Sequence, residues 1–135
     1  MLNKMEEYIE CLSTGGELIV NRIDWKIKYY FPGPDRRYTG TFFYIPSTKI
    51  DSYISAWQNN YIKYRQLKNL HDGKGTISII GEEKMKISSG GVFDGVCIDN
   101  WHMCIRDESK IKEIIADYLY AKKRAKEMQA ILKQI

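Results

Sequence analysis

The segment from Ser109 to Ile135 carries the most regular pattern in the chain. Apolar or small residues recur there at alternating intervals of three and four, which is the heptad repeat of a helix that packs along one seam. At about 1.5 Å per residue this helix would be roughly 40 Å long, close to the diameter expected of the whole protein. The seam consists of Ile111, Ile114, Tyr118, Ala121, Ala125, Met128, Leu132 and Ile135.

A helix of this length needs a partner along most of its extent. The seam can cover the protein's own sheet, or it can pack against a second copy, and both arrangements fit the pattern equally. The small side chains of Ala121 and Ala125 would let another helix approach closely, which favours a homodimer. The predicted dimer interface consists of Tyr118, Ala121, Ala125, Met128 and Leu132.

Size and composition predict one globular domain, residues 1–135, because 44% of the 135 residues are hydrophobic. The net charge of +4 favours anionic partners. No apolar run reaches the ~20 residues of a membrane helix, and Glu6 and Glu7 interrupt the start, where a signal peptide is apolar. Three irregularly spaced cysteines make no disulfide framework, so we expect a cytoplasmic protein. The many Ile, Lys, Tyr and Asn residues suggest an AT-rich genome, such as that of a low-GC bacterium or its phage.

The N-terminal segment is predicted to form a short helix followed by a strand. Apolar residues recur at helical intervals between Leu2 and Leu12, and the pair Gly15 and Gly16 would end the helix. The next segment, Glu17–Asn21, has the composition of a short strand.

The clearest strand prediction covers Arg22–Phe31, where apolar and polar residues alternate. This alternation predicts one buried face and one wet, basic face. Pro32–Asp35 is typical of a tight turn, and the aromatic- and Thr-rich segment Tyr38–Ile45 is then predicted to return as the partner strand.

A central helix is predicted from about Thr48 to Leu70. Its large aromatic residues lie on one face, and we interpret them as core rather than as an interface. This stripe consists of Tyr53, Trp57, Tyr61 and Tyr64.

The chain after this helix is predicted to form two hairpins, whose pairing is set by turn length. In the first, a three-residue turn at Gly81–Glu83 would pair Ile79 with Met85 and Ile77 with Ile87. In the second, a two-residue turn at Asp99-Asn100 would pair Ile98 with Trp101, Val96 with Met103, Asp94 with Ile105, Cys97 with His102, and Gly95 with Cys104.

These elements predict an α+β fold. We expect a mainly antiparallel sheet of six to seven short strands arranged in hairpins. An N-terminal helix, a central helix and the long C-terminal helix would pack on this sheet.

Cys97, His102 and Cys104 are the candidates for chemistry, because the second hairpin would bring them to one face. A structural zinc site needs four ligands, and no fourth lies nearby in sequence, so we predict no metal site and no cofactor. Cys97 and Cys104 would be diagonal neighbours, too far apart for an easy disulfide. A catalytic pair of Cys97 and His102 is conceivable, but no third group that would orient it is identifiable. We therefore predict that the protein is not an enzyme.

The basic and aromatic residues of the Arg22–Arg37 hairpin carry the strongest functional signal. Aromatic rings stack on bases while Lys and Arg contact phosphates, the usual division of labour in nucleotide and single-strand binding. The predicted ligand-binding residues are Arg22, Lys26, Lys28, Tyr30, Arg36 and Arg37.

Three hypotheses about function follow. The first is a homodimeric, non-catalytic protein that binds an anionic ligand, either a nucleotide-like molecule or nucleic acid. The second is a protein-binding inhibitor, such as an immunity protein or a phage accessory factor that blocks a host defence enzyme. The third is a small enzyme that uses Cys97 and His102.

Overall fold

The computed structural model describes residues 6–33, 40–98 and 101–135 and has an α+β fold. These residues form eight strands in two antiparallel four-stranded sheets, together with two long helices. The strands are β1 (Tyr8–Cys11), β2 (Glu17–Val20), β3 (Trp25–Phe31), β4 (Thr41–Pro46), β5 (Ile77–Ile80), β6 (Lys86–Ser89), β7 (Gly95–Ile98) and β8 (Met103–Ile105). The helices are α1 (Ile50–Leu70) and α2 (Glu108–Leu132).

The chain divides into two compact units. The first contains the described residues up to Ile50 together with Ala116–Ile135, and the second contains Asp51–Ile115. The α+β class predicted from sequence is confirmed, whereas the single predicted sheet is two sheets. The assignment of residues 1–135 to one domain stays a prediction.

The first unit is built on the sheet β1-β2-β3-β4, in which each strand pairs antiparallel with the next. Its inner face carries Leu18, Val20, Ile27 and Ile45, all fully buried. The alternation predicted for β3 is confirmed here, because Ile27 and Tyr29 are buried while Lys26 and Tyr30 are exposed.

The seam of α2 is covered within the chain. Tyr118, Ala121 and Ala125 are fully buried in the first unit, and the Tyr118 hydroxyl lies 2.9 Å from the hydroxyl of Tyr29 on β3. Met128 is also buried, while Leu132 is half-buried. Four of the five predicted interface residues, all but Leu132, are therefore buried within the chain itself. Dimerisation itself stays a prediction.

The predicted N-terminal helix is wrong, because Tyr8–Cys11 is strand β1. The glycine pair forms a hairpin turn instead of a helix end, with the Leu12 amide donating to the Gly16 carbonyl at 2.7 Å. The carboxylate of Asp117 on α2 holds this turn by accepting hydrogen bonds of 2.8 Å from the Ser13 hydroxyl and the Thr14 amide. A buried carboxylate far away in sequence therefore overrides the local helical spacing. Residues 1–5 of the predicted helix lie outside the described residues.

Strand β3 begins three residues later than predicted, at Trp25. The side-chain oxygen of Asn21 accepts hydrogen bonds from the amides of Ile23 and Asp24, at 3.0 and 2.8 Å. This Asx turn bends the chain between β2 and β3 and leaves Ile23 90% exposed. Arg22 therefore lies in a turn rather than in a strand.

The second unit contains the sheet β5-β6-β7-β8 and most of α1. The bounds of α1 agree with the predicted central helix, and the aromatic stripe is core as expected. Tyr53, Trp57, Tyr61 and Tyr64 are all less than 9% exposed.

The first hairpin of this unit differs from its predicted register by two residues. Ile79 lies opposite Ile87, and Ile77 lies opposite Ser89. The cause is a longer loop, which the buried side chain of Asn60 on α1 holds by accepting from the Glu82 amide at 2.9 Å and donating to the Glu82 carbonyl at 3.0 Å.

The second hairpin is displaced in the same way. Ile98 lies opposite Met103, Cys97 opposite Cys104, and Val96 opposite Ile105. The predicted two-residue turn at Asp99-Asn100 lies outside the described residues. Because both displacements equal two residues, each side chain keeps its predicted face and changes only its neighbour.

Enlarging Ala125 tests whether the seam is covered in solution. We expect Ala125→Leu to lower the free energy of unfolding by about 1–3 kcal/mol, because the added carbons meet packed atoms. Urea unfolding followed by circular dichroism measures this change. The control Ala130→Leu alters an exposed position on the same helix and should change stability little. Equal stability of both variants would contradict an internal seam.

The lowered pKa of the Glu10 carboxyl group on β1 should make the free energy of unfolding depend on pH in the acidic range. Hydrogen bonds donated by Tyr120 and Tyr8, reinforced by Arg124, lower the pKa of Glu10 from its ordinary value of 4.5. A lowered pKa adds stability that is fully present above pH 4.5 and is lost as pH falls through the lower, folded-state value. We expect Glu10→Gln to be less stable at neutral pH and to lose less of its remaining stability on acidification. Urea midpoints across this range test it, with exposed Glu7→Gln as control. Parallel pH curves for Glu10→Gln and wild type would contradict it.

Candidate functional site

The outer face of strands β3 and β4 combines aromatic and basic side chains. Lys28 lies opposite Tyr44, and Tyr30 lies opposite Phe42. Because opposed residues of an antiparallel pair share a face, these side chains all project away from buried Ile27. We call this surface the aromatic–basic face; it consists of Lys26, Lys28, Tyr30, Phe42 and Tyr44.

The three rings of this face form an exposed row. The ring centroids of Tyr30 and Phe42 are 5.0 Å apart, and those of Phe42 and Tyr44 are 6.4 Å apart. Each of these residues is about half exposed, at 54%, 52% and 46% respectively. The row therefore offers flat apolar surface to the solvent.

The two lysines lie over the rings. The ammonium of Lys26 is 4.7 Å from the centroid of Tyr44, and that of Lys28 is 4.3 Å from the centroid of Phe42. Both are cation–π contacts, in which the ring face attracts the positive charge. Within the described residues neither ammonium forms an ion pair with a carboxylate. Two positive charges thus lie beside the stacking surfaces.

A groove of about 600 Å³ continues this face toward β1 and β2. It contains Glu17, the residue opposite Lys28, and this carboxylate reduces the positive potential at that end. The groove is lined by Cys11, Gly15, Glu17, Lys28, Tyr30 and Phe42.

The predicted site residues separate into three groups. Lys26, Lys28 and Tyr30 lie together on the aromatic–basic face. Arg22 does not join them, since it lies in the β2–β3 turn and pairs with Glu6. Arg36 and Arg37 lie outside the described residues.

The turn near Arg22 also contains a carboxylate that faces Lys26. A hydrogen bond from the Ser47 hydroxyl, another from the Trp25 amide, and the positive charge of Lys26 lower the pKa of Asp24. Asp24 therefore remains ionised at neutral pH and partly balances the charge at this end of the face.

Sequence reasoning missed Phe42 and Tyr44. The sequence pattern could have identified them. Successive side chains of a strand point to opposite faces, so burial of Ile45 places Tyr44 and Phe42 on the outer face, beside Lys28 and Tyr30 of β3. Gly40 was also missed. A Cβ atom there would lie 2.5 Å from the ring of Tyr30, so glycine permits the close approach of that ring to the chain.

The expectation of an unpaired Cys97 and Cys104 is wrong, because the two form a disulfide bond. The two-residue change in register makes them directly opposed neighbours, with Cα atoms 4.0 Å apart. Neither sulfur is then a thiol, which removes the nucleophile from the hypothetical pair with His102. Cys11 is free and exposed. The part of the chain that the structure describes contains no group of three metal-binding side chains.

Comparison with known proteins yields no match to a family model, a curated protein or a solved structure. In the described ranges, neither helix combines the length and apolarity needed to span a bilayer. The functional argument therefore rests on the geometry of the aromatic–basic face.

The disulfide can be tested by counting thiols. In unfolded, unreduced protein we expect one reactive thiol, that of Cys11, and reduction should expose two more. Replacing both Cys97 and Cys104 by Ser should lower stability by about 2 kcal/mol, because the cross-link restricts the unfolded chain. Cys11→Ser is the matched control and should leave stability nearly unchanged. Three reactive thiols before reduction would contradict the bond.

Proposed function

We propose that this chain is a non-catalytic binding protein that holds single-stranded nucleic acid on the aromatic–basic face. The observation that carries the proposal is the row of three half-exposed rings with two lysine ammoniums above it. Rings of this kind stack on bases regardless of sequence, while lysines contact the phosphates between them.

An extended ligand fits this face better than a single nucleotide. Small molecules usually bind in concave pockets that enclose most of their surface. The groove of about 600 Å³ beside this face is lined by Tyr30 and Phe42 but not by Tyr44, whereas all three rings follow one another across two strands, with centroid separations of 5.0 and 6.4 Å. Exposed aromatic residues on a four-stranded sheet can stack two or three successive bases of a single strand.

The energies of the competing contacts favour displacement of the lysines by bases. A cation–π contact at an exposed site contributes about 0.5–1 kcal/mol. Stacking of a base on an aromatic side chain contributes about 1–3 kcal/mol. A base would therefore take the place of the Lys28 ammonium on the Phe42 ring, and the released ammonium would reach a neighbouring phosphate.

Replacing one ring tests this role directly. We expect Phe42→Ala to weaken binding of a fluorescently labelled single-stranded oligonucleotide by about 5- to 100-fold, since one stacking contact is lost. Fluorescence anisotropy with both DNA and RNA measures the change. The matched control is Phe93→Ala, because Phe93 has a similar exposed fraction of 48% but lies in the second unit. Equal losses in both variants, or none in either, would contradict the proposal.

The charged residues provide an independent readout. Lys26→Ala should reduce the slope of log affinity against log salt by about 0.7, the value for one phosphate contact with a single strand. Glu17→Gln should strengthen binding, because it removes a negative charge from the groove. A salt slope unchanged by Lys26→Ala would exclude that lysine from phosphate contact.

A protein-binding inhibitor is the second candidate, and the same exposed rings favour it. Tyr and Phe are enriched in protein interfaces, where they contribute large contact areas. This candidate predicts that wild-type protein binds no oligonucleotide. It also predicts capture of one dominant partner protein, lost in Phe42→Ala and retained in Phe93→Ala.

A further inference from the structure

Strand β5 forms one edge of the second sheet. Among the described strands it pairs only with β6, so its other side presents unpaired amide and carbonyl groups. All four of its residues are exposed, including Ile77 at 41% and Ile79 at 40%. Such an edge offers both backbone hydrogen bonds and apolar surface to another strand.

The apolar face of this sheet continues to the edge without being closed there. Ile79 lies opposite Ile87, which is fully buried and lies in turn opposite buried Val96. Opposed residues share a face of the sheet. Ile77 and Ile79 therefore continue the apolar row of Ile87 and Val96 onto the edge strand, where it is no longer buried.

We propose that β5 pairs with β5 of a second copy of the chain, antiparallel and about a two-fold axis. Charges at the two ends of the strand support this occupant. Lys74 precedes the strand and Glu82 follows it, and both are exposed. An antiparallel pair places the basic end of each copy beside the acidic end of the other, so the edge is complementary to itself.

The geometry of strand pairing restricts the register. In an antiparallel edge pair, residues whose backbone groups point outward must face residues that also point outward. In a two-fold symmetric pair this requires one residue to lie on the axis, opposite itself. The candidates are Ile77, Ser78 and Ile79.

Burial of the two isoleucines selects Ser78 as the residue on the axis. With Ser78 there, Ile77 of each copy faces Ile79 of the other, and Lys74 lies near Glu82 of the other. An axis at Ile77 or Ile79 would instead place one isoleucine of each copy opposite a glycine, Gly75 or Gly81, and leave it uncovered.

The length of the edge sets the strength of the dimer. A four-residue strand without a second contact surface buries less area than a typical stable interface. We therefore expect a reversible dimer with Kd of about 1–100 µM.

Charge reversal tests the pairing in the full chain. Sedimentation velocity over a concentration series should show a monomer–dimer equilibrium. Lys74→Glu or Glu82→Lys alone should weaken the dimer by about tenfold, because each repulsive contact occurs twice. The double variant should restore the wild-type Kd. Lys63→Glu, at an exposed position on α1, controls for net charge and should not change it. Circular dichroism verifies folding of each variant.

A cross-link tests the register. In a Cys11→Ser background, oxidised Ser78→Cys should form a covalent dimer, because opposed Cα atoms lie within disulfide range. Ile79→Cys should not, because position 79 of the other copy lies two residues along the strand from the directly opposed position, which puts the two Cα atoms beyond disulfide range. A monomer at every concentration, a dimer unaffected by either single charge reversal, or a cross-link through Ile79→Cys instead of Ser78→Cys would overturn the proposal.

Discussion

The packing of α2 on the inner face of the β1–β4 sheet is the contact on which the rest of the first unit depends. A small antiparallel sheet is stable only when one face is covered, and α2 supplies that cover with Tyr118 and Ala121. The same helix anchors the β1–β2 turn through Asp117 and meets β3 through the hydroxyl of Tyr29. Because these contacts use the inner face, the outer face of the sheet is left to solvent in this unit.

The composition of that outer face is not explained by folding. The solvent face of a half-buried sheet is normally polar, yet Tyr30, Phe42 and Tyr44 keep about half of their surface in water. Full burial of each such ring would add about 1.5–3 kcal/mol to the free energy of unfolding, so the protein is less stable than it would be with these rings buried. The lysine ammoniums above Phe42 and Tyr44 cover part of the ring faces. A ligand with flat rings and negative charges would stack on the exposed aromatic rings and pair with the lysine ammoniums at the same time.

The features predicted correctly are those fixed by local periodicity. The alternation of β3, the buried stripe of α1 and the seam of α2 each follow from a repeat of two or about 3.6 residues. The structure confirms the first two and the seam as far as Met128, whereas Leu132 is half-buried and Ile135 lies beyond the helix and is exposed. Two of the failures involve hydrogen bonds between distant residues. Asp117 turns a helical pattern into a hairpin, and Asn60 lengthens a loop, and neither contact is visible in the spacing of the residues it changes.

The two hairpins of the second unit show why faces are easier to predict than neighbours. A displacement of two residues preserves every face but gives each residue a new partner, which is how Cys97 comes to lie opposite Cys104 instead of His102. To predict the basic half of the aromatic–basic face, it is enough to know on which side of the sheet Lys26 and Lys28 lie, and the alternation of β3 gives that side. The disulfide needed the correct neighbour and was missed. The proposed β5 pairing obeys the same parity, and here the mutual burial of Ile77 and Ile79 decides among registers that the backbone alone would allow.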